Sequence, residues 1–122
     1  MEKEQNILQR VRLKASELGA ILWRNNCGAY KSESGHYIKY GVASPGGSDL
    51  LGMIPMVVTQ DMVGKMIAIF TAFEIKKEGG RITPEQQLFI NIVEKNGGIA
   101  AIIRSAEDVE GVICNAIRKK MP

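Results

Sequence analysis

The stretch MIAIFTAFEIKKEGGRITPEQQ, residues 66–87, contains the two predicted elements that decide the fold. Its first part, residues 66–76, is rich in β-branched and aromatic side chains, which favour a central strand over a helix. A Glu-Gly-Gly turn ends this strand. Thr83 then takes the N-cap position and Pro84 the first position of a helix that is predicted to run to about Asn96.

Shorter apolar segments lie on both sides of this strand and helix. The helical spacing of Ile7, Leu8 and Val11 predicts an amphipathic helix over residues 4–18. The other predicted elements are strands at residues 20–23, 35–40, 50–58 and 99–103, and a last helix capped by Ser105. Residues 25–30 either turn the chain or continue the first strand.

This order of elements predicts an α/β fold with a mixed central sheet flanked by helices, in the order α-β-β-β-β-α-β-α. The 122 residues are 45% hydrophobic, which is enough to bury a core without disulfide or zinc. The sequence contains no internal repeat, low-complexity tract or linker. Residues 1–122 are therefore expected to form a single domain.

The composition of the chain indicates where in the cell the protein is expected. No apolar run approaches the roughly 20 residues that span a bilayer, and the first ten residues are too polar for a signal peptide. We therefore expect no membrane partner and a location in the reducing cytoplasm, with Cys27 and Cys114 as free thiols. The net charge of +3 permits a polyanionic partner without requiring one.

Glu74 and Lys76 form the first candidate for chemistry. They lie two residues apart on the predicted central strand, so their side chains point to the same face. Charges at the end of an apolar strand must satisfy each other or hold a ligand. The alternative interpretation is a simple ion pair at the strand end.

Asp49 is the second candidate, because it follows a Gly-Gly-Ser loop and directly precedes a predicted strand. If that strand pairs with the central one, Asp49 and Glu74 converge at one end of the sheet. Together with the main-chain carbonyl of Ile75 they supply the oxygen ligands that Mg²⁺ or Mn²⁺ prefers. Beside such a metal, Lys76 suits the charge that builds up on a phosphodiester during hydrolysis. Alternatively, Asp49 only caps a turn.

Glu4 and Gln86 are polar residues at predicted inward positions of their helices. Glu4 precedes the apolar stripe of the first helix and is expected to point away from water. Its alternative role is a carboxylate favoured by the helix dipole, and Glu2 and Glu17 compete with it as the acid of this helix. Gln86 either faces the site or only closes a capping box with Thr83.

Basic and amide side chains suggest contacts with phosphate. Arg24 and Asn25 follow the first predicted strand, where they either contact a phosphate or form an ordinary turn. The basic run at residues 118–120 is either the solvated end of the last helix or a contact to a phosphate backbone. The glycine-rich segments lack the Lys-Ser/Thr of a phosphate-binding loop, so nucleoside triphosphate hydrolysis has no support.

An ordered set of motifs from Glu4 to about Glu110 carries a family resemblance. The motifs are Glu4, Trp23-Arg24-Asn25-Asn26, Gly46-x-Ser48-Asp49, Glu74-Ile75-Lys76 and Thr83-Pro84-Glu85-Gln86-Gln87, followed by Gly97-Gly98. This set resembles that of the stand-alone VRR-NUC proteins, which are virus-type replication-repair nucleases of the PD-(D/E)xK superfamily. Ser48 stands where that family often has a proline.

The resemblance implies a restriction-endonuclease-like core and a metal-dependent endonuclease that cleaves DNA during replication, repair or recombination. It implies that Asp49 and Glu74 bind Mg²⁺ or Mn²⁺ and that Lys76 is the catalytic lysine. It further implies that Glu4 is the accessory acid and Gln86 the polar residue of the motif-bearing helix. Small members of the family resemble phage enzymes that act in the host cytoplasm as homodimers on branched DNA, so branched DNA and a second copy are the expected partners.

Two other functions compete with a nuclease. One is a DNA-binding or assembly module that keeps the fold without cleaving. The other is a structural protein in which Glu74 and Lys76 form only an ion pair.

Overall fold

The computed structural model describes residues 3–117, which form a mixed α/β fold with three helices and small sheets. The helices are α1 (Glu4–Glu17), α2 (Pro84–Lys95) and α3 (Ala106–Ala116), and a short 3-10 helix spans Gln60–Met62. The strands are β1 (Ile21–Arg24), β2 (Gly28–Lys31), β3 (Tyr37–Tyr40), β4 (Leu50–Met53), β5 (Thr71–Ile75) and β6 (Ile99–Ile103). The predicted α/β class is confirmed.

The described strands pair as three two-stranded sheets. β1 pairs with β4 and β2 with β3, both antiparallel, whereas β5 and β6 are parallel. Within the described residues five strands precede α2, one more than the expected order contains. The extra strand arises because residues 28–31 do not continue β1 but form a hairpin with β3 around a polar turn.

Two predicted strands are shorter than expected. The strand predicted at residues 50–58 ends at Met53, because Pro55 has no N–H to donate to a ladder. The strand predicted at residues 66–76 begins only at Thr71. Its partner β6 begins at Ile99, directly after two glycines, so the parallel ladder begins only at Thr71, which lies opposite Ile99.

The chain divides between Val57 and Val58 into two compact units. The first unit contains α1 and β1 to β4, and the second contains β5, α2, β6 and α3. The first unit contains the pairs β1–β4 and β2–β3, and the second unit contains the pair β5–β6.

In the first unit, α1 lies against β1, and β1 is paired with β4. Gly52 of β4 comes so close to β1 that a Cβ atom there would collide with the backbone of β1. The register places Arg24, the last residue of β1, opposite Leu50, the first of β4. Just beyond this pair, the N–H of Asn25 donates to the carbonyl of Asp49 at 2.8 Å. The strand pairing thus sets the backbone position of Asp49.

In the second unit, α2 connects the parallel strands β5 and β6 and packs on both, while α3 contacts β6. Ile90 and Val93 of α2 are buried, as is Ile103 of β6, and Val93 is completely inaccessible to solvent. The apolar face of α2 therefore supplies the core of this unit.

The predicted helix starts of α2 and α3 are confirmed. The hydroxyl of Thr83 accepts the N–H of Gln86 at 3.1 Å, and the side chain of Gln86 accepts the N–H of Thr83 at 2.9 Å, which completes a capping box. The hydroxyl of Ser105 accepts the N–H of Asp108 at 3.1 Å. In contrast, α1 begins after Lys3 with no side-chain cap.

Across residues 3–117, no helix combines the length and the apolar character that crossing a membrane requires. Cys27 and Cys114 are both free thiols. The basic run at residues 118–120, for which a phosphate contact was one interpretation, lies outside the described residues.

Val93 offers a test of the core of the second unit. We expect Val93→Ala to lower the free energy of unfolding by about 2 kcal/mol, because it removes buried methyl groups and leaves a cavity. Leu88→Ala is the matched control, since Leu88 lies on the same helix and is 60% exposed. Urea unfolding of both variants measures the difference, and equal losses would contradict this assignment of the core.

Candidate functional site

Three predicted site residues, Glu74, Lys76 and Gln86, come together at the end of β5 in the second unit. The Nε2 atom of Gln86 donates to Oε1 of Glu74 at 2.9 Å, and Nζ of Lys76 lies 3.6 Å from the same oxygen. The side chain of Lys76 is 19% exposed and that of Glu74 is 34% exposed. The two charges are therefore partly withdrawn from water, where their attraction is stronger than at a free surface.

Gln86 acts in the capping box and in this cluster at the same time. Its Oε1 atom accepts the main-chain N–H of Thr83, so its NH₂ group must be the end that faces Glu74. Gln86 thus closes the capping box with its side-chain oxygen and contacts Glu74 with its NH₂ group, so both interpretations of this residue hold. The start of α2 orients the donor that holds the carboxylate of Glu74.

The carboxylate of Glu74 is held at one oxygen. Gln86 and Lys76 both reach Oε1, and within the described residues no hydrogen bond or ion pair is made by Oε2. An ion pair at the strand end accounts for the contact with Lys76, but it does not account for the donor from Gln86. A carboxylate that is oriented at one oxygen and open at the other is suited to bind a ligand.

Arg104 holds the loop that follows Lys76, a role that the sequence did not indicate. Its guanidinium donates to the carbonyl of Lys77 at 2.7 Å and to that of Gly80 at 2.9 Å. The main-chain N–H of Arg104 donates to a carboxylate oxygen of Asp108 at 2.9 Å. The loop between β5 and α2 is therefore tied to the start of α3.

Three other predicted residues, Glu4, Arg24 and Asp49, line one open cavity of about 340 Å³ in the first unit. Nη1 of Arg24 lies 3.9 Å from Oδ1 of Asp49, and the side chain of Asp49 is 78% exposed. This contact is a loose surface ion pair, which contributes little by itself. The carboxylate of Asp49 is therefore accessible to a ligand.

Glu4 lies on the expected face of α1, but it is not buried. It lines the cavity together with Ile7, Leu8 and Val11, as the helical spacing predicts. However, Glu4 is exposed, and Ile7 and Val11 are 43% and 46% exposed. The prediction that Glu4 points away from water is wrong, because the four-residue strand β1 that α1 contacts is too small to cover its apolar stripe.

The competing acids of the first helix differ in their placement. Glu17 ends α1, where its carboxylate lies 3.2 Å from Nζ of Lys14. Glu2 lies outside the described residues. Glu4 lies in the first turn, where the helix dipole favours a carboxylate, and it shares a cavity with Asp49.

Asn25, for which the sequence left open a contact with phosphate or an ordinary turn, points into the protein. Only 9% of the residue is exposed, and its side-chain amide bonds to the main chain of Val42 and Ser48. Its polar groups are satisfied inside the first unit. The neighbouring Arg24 is the exposed one of the two.

Two carboxylates among the predicted site residues each have the chemistry that suits a hard divalent cation. Asp49 and Glu74 are carboxylates with accessible oxygens, and Mg²⁺ and Mn²⁺ prefer such ligands. Asp49 belongs to the first unit and Glu74 to the second. Within residues 3–117, no three or more His, Cys, Asp and Glu side chains are grouped closely enough to hold a metal ion.

A family model, the VRR-NUC domain, matches residues 2–107 of the 122-residue chain. The protein therefore belongs to the VRR-NUC family, and its domain is of the nuclease type that processes DNA. The resemblance seen in the motifs is confirmed. Comparisons with curated proteins and with solved structures found no match.

Gln86 provides a test of the cluster around Glu74. We expect Gln86→Glu to keep the acceptor for the N–H of Thr83 but to lose the donor to Glu74, and to place two carboxylates together. On the expectation that Glu74 binds a metal ion, DNA cleavage should fall by about tenfold or more, because the hydrogen-bond partners of a metal-binding carboxylate tune its function. Gln87→Glu is the matched control, since Gln87 is exposed on the same helix and its side-chain amide donates to Asn91 and not to Glu74. Equal cleavage by the two variants would exclude this role for Gln86.

Proposed function

We propose that this protein is a Mg²⁺- or Mn²⁺-dependent endodeoxyribonuclease, and that its two units together form one nuclease domain over residues 1–122. The family match supports this, because it extends across both units. The observation that carries the proposal is the oriented carboxylate of Glu74, which Gln86 and Lys76 hold at one oxygen only. An ion pair alone would not need that arrangement.

Asp49, Glu74 and the main-chain carbonyl of Ile75 are the proposed metal ligands. Ile75 is the last residue of β5, so its carbonyl directly follows Glu74 along the backbone. A bound Mg²⁺ or Mn²⁺ would polarise the phosphodiester and lower the pKa of a water molecule. These residues of the chain would supply the negative charge and the oxygen ligands that hold the ion.

Lys76 is the proposed catalytic lysine. Its ammonium lies beside Glu74, where it would neutralise charge that builds up on the phosphate during attack by water. Glu4 is the proposed accessory acid, because it lines the cavity of Asp49. The exposed guanidinium of Arg24 in the same cavity is suited to contact a DNA phosphate.

Branched DNA such as a four-way junction is the proposed substrate, and a homodimer in the cytoplasm is the proposed active form. These two points rest on the similarity to small phage-type members of the family. A domain of 122 residues offers little surface to span a junction, and cutting two strands requires two sites. Replication, repair and recombination produce such branched DNA.

A cleavage assay with two variants tests the nuclease. We expect the wild type to cut a labelled four-way junction with Mn²⁺ and not with EDTA. Asp49→Ala and Lys76→Ala should each reduce cleavage by about a hundredfold or more, because the first removes a proposed metal ligand and the second removes a positive charge beside the reacting phosphate. Circular dichroism should show the same fold, since Asp49 is largely exposed and Lys76 is not a core residue.

Asp61→Ala and Lys65→Ala are the matched controls, because they remove the same charges at exposed positions that are not among the proposed site residues. Both should cut as the wild type does. Full activity of either site variant would refute the assignment. A wild type that shifts the labelled junction in a gel but never cuts it would instead identify a DNA-binding or assembly module.

A further inference from the structure

Asn25 links the two ends of the loop that leads to Asp49. Its Oδ1 atom accepts the N–H of Val42 at 2.8 Å, and its Nδ2 atom donates to the carbonyls of Val42 and Ser48, both at 3.0 Å. Its main-chain N–H donates to the carbonyl of Asp49 at 2.8 Å. One residue therefore fixes the start of the loop, its end and the backbone of Asp49.

We propose that Asn25 is the positioning residue for Asp49, and that it acts by holding residues 42–48 so that the Asp49 carboxylate is presented to the metal. This inference rests on the proposed function, in which Asp49 is a metal ligand. Asn25 itself touches neither metal nor DNA in this proposal. Its side chain reaches the loop through the main-chain groups of Val42 and Ser48, and its Nδ2 atom also lies 3.0 Å from Sγ of Cys27.

The loop needs such an anchor because it departs from relaxed backbone geometry. Ala43 has a φ of 58°, a conformation that is unfavourable for residues other than glycine and persists only when its surroundings enforce it. The amide of Asn25 binds both main-chain groups of the preceding residue, Val42, as a neighbouring strand would. The backbone of Val42, directly before the unfavourable conformation of Ala43, is therefore held in place by Asn25.

Gly47 shows how closely the loop is packed on Asn25. A Cβ atom at Gly47 would lie 3.1 Å from Nδ2 of Asn25 and 3.0 Å from Sγ of Cys27, and would collide with the carbonyl oxygen of Val42. No side chain larger than hydrogen fits there without moving the loop. The glycine just before Ser48 and Asp49 thus lets the loop close over the amide.

One substitution at Asn25 can remove the side-chain donor and keep the side-chain acceptor. Asn25→Asp keeps an oxygen that can accept the N–H of Val42, but it replaces the donor that faces the carbonyls of Val42 and Ser48 with a second oxygen. Repulsion between oxygens should displace the end of the loop and with it Asp49. The change in volume is small, so packing stays close to that of the wild type.

Isothermal titration with Mn²⁺ tests the inference without relying on cleavage. We expect Asn25→Asp to weaken Mn²⁺ binding by about 10- to 100-fold, the range found when the partners of metal ligands are altered. In the Asp49→Ala background, adding Asn25→Asp should weaken binding no further, because Asn25 acts through Asp49. Asn91→Asp is the matched control on the exposed face of α2 and should bind as the wild type does.

Each other outcome has a distinct meaning. Wild-type affinity in Asn25→Asp would overturn the role of Asn25 and leave the proposed nuclease intact. Equal weakening by Asn25→Asp in the presence and absence of Asp49 would also overturn it, since the effect would then be general. Absence of Mn²⁺ binding by the wild type would overturn the proposed function, and this inference with it.

A second variant covers the case in which Asn25→Asp does not fold. Gly47→Ala moves the loop from its other side and leaves the amide of Asn25 unchanged. It should weaken Mn²⁺ binding in the same way, whereas Gly111→Ala, where a Cβ atom meets nothing within 4 Å, should not. Wild-type binding by a folded Gly47→Ala protein would overturn the proposal.

Discussion

The second unit depends on one constraint, namely that the partly buried carboxylate of Glu74 needs partners at the end of β5. A carboxylate in this position loses hydration, and the loss must be compensated by charge and by hydrogen bonds. Lys76 supplies the charge, and its own N–H continues the parallel ladder by donating to Ile103 at 3.0 Å. Gln86 supplies the donor and is oriented by the capping box at the start of α2. The ladder and the helix start are thus both tied to one carboxylate.

These features could be predicted because their signals are local. Thr83 and Gln86 lie three residues apart, so the capping box depends on little beyond the order of residues. Glu74 and Lys76 were expected to share one face of a strand, and their charged groups lie 3.6 Å apart. The end of β4 was predicted wrongly, because the apolar residues around Pro55 suggested a strand that continues to residue 58.

The remaining features could not be predicted because they depend on residues far apart in the chain. The side-chain partners of Asn25 include main-chain groups 17 and 23 residues away, and carbonyls have no sequence signature. The same holds for Arg104, which binds carbonyls 27 and 24 residues before it. The exposure of Glu4 depends on how much of α1 its neighbours cover, which the helical pattern alone does not contain.

A structural role and a functional role are often treated as alternatives for one residue, but in the proposed site they belong to different atoms of the residue. A turn-capping aspartate would accept a main-chain N–H with its carboxylate. Within the described residues the carboxylate of Asp49 has only the ion pair with Arg24, whereas its main-chain carbonyl accepts the N–H of Asn25. The main-chain carbonyl of Asp49 thus makes the contact that holds the loop, and the side chain stays accessible. In Gln86 the two contacts are likewise made by different atoms, since Oε1 accepts the N–H of Thr83 and Nε2 donates to Glu74. Capping the helix therefore does not compete with holding the carboxylate.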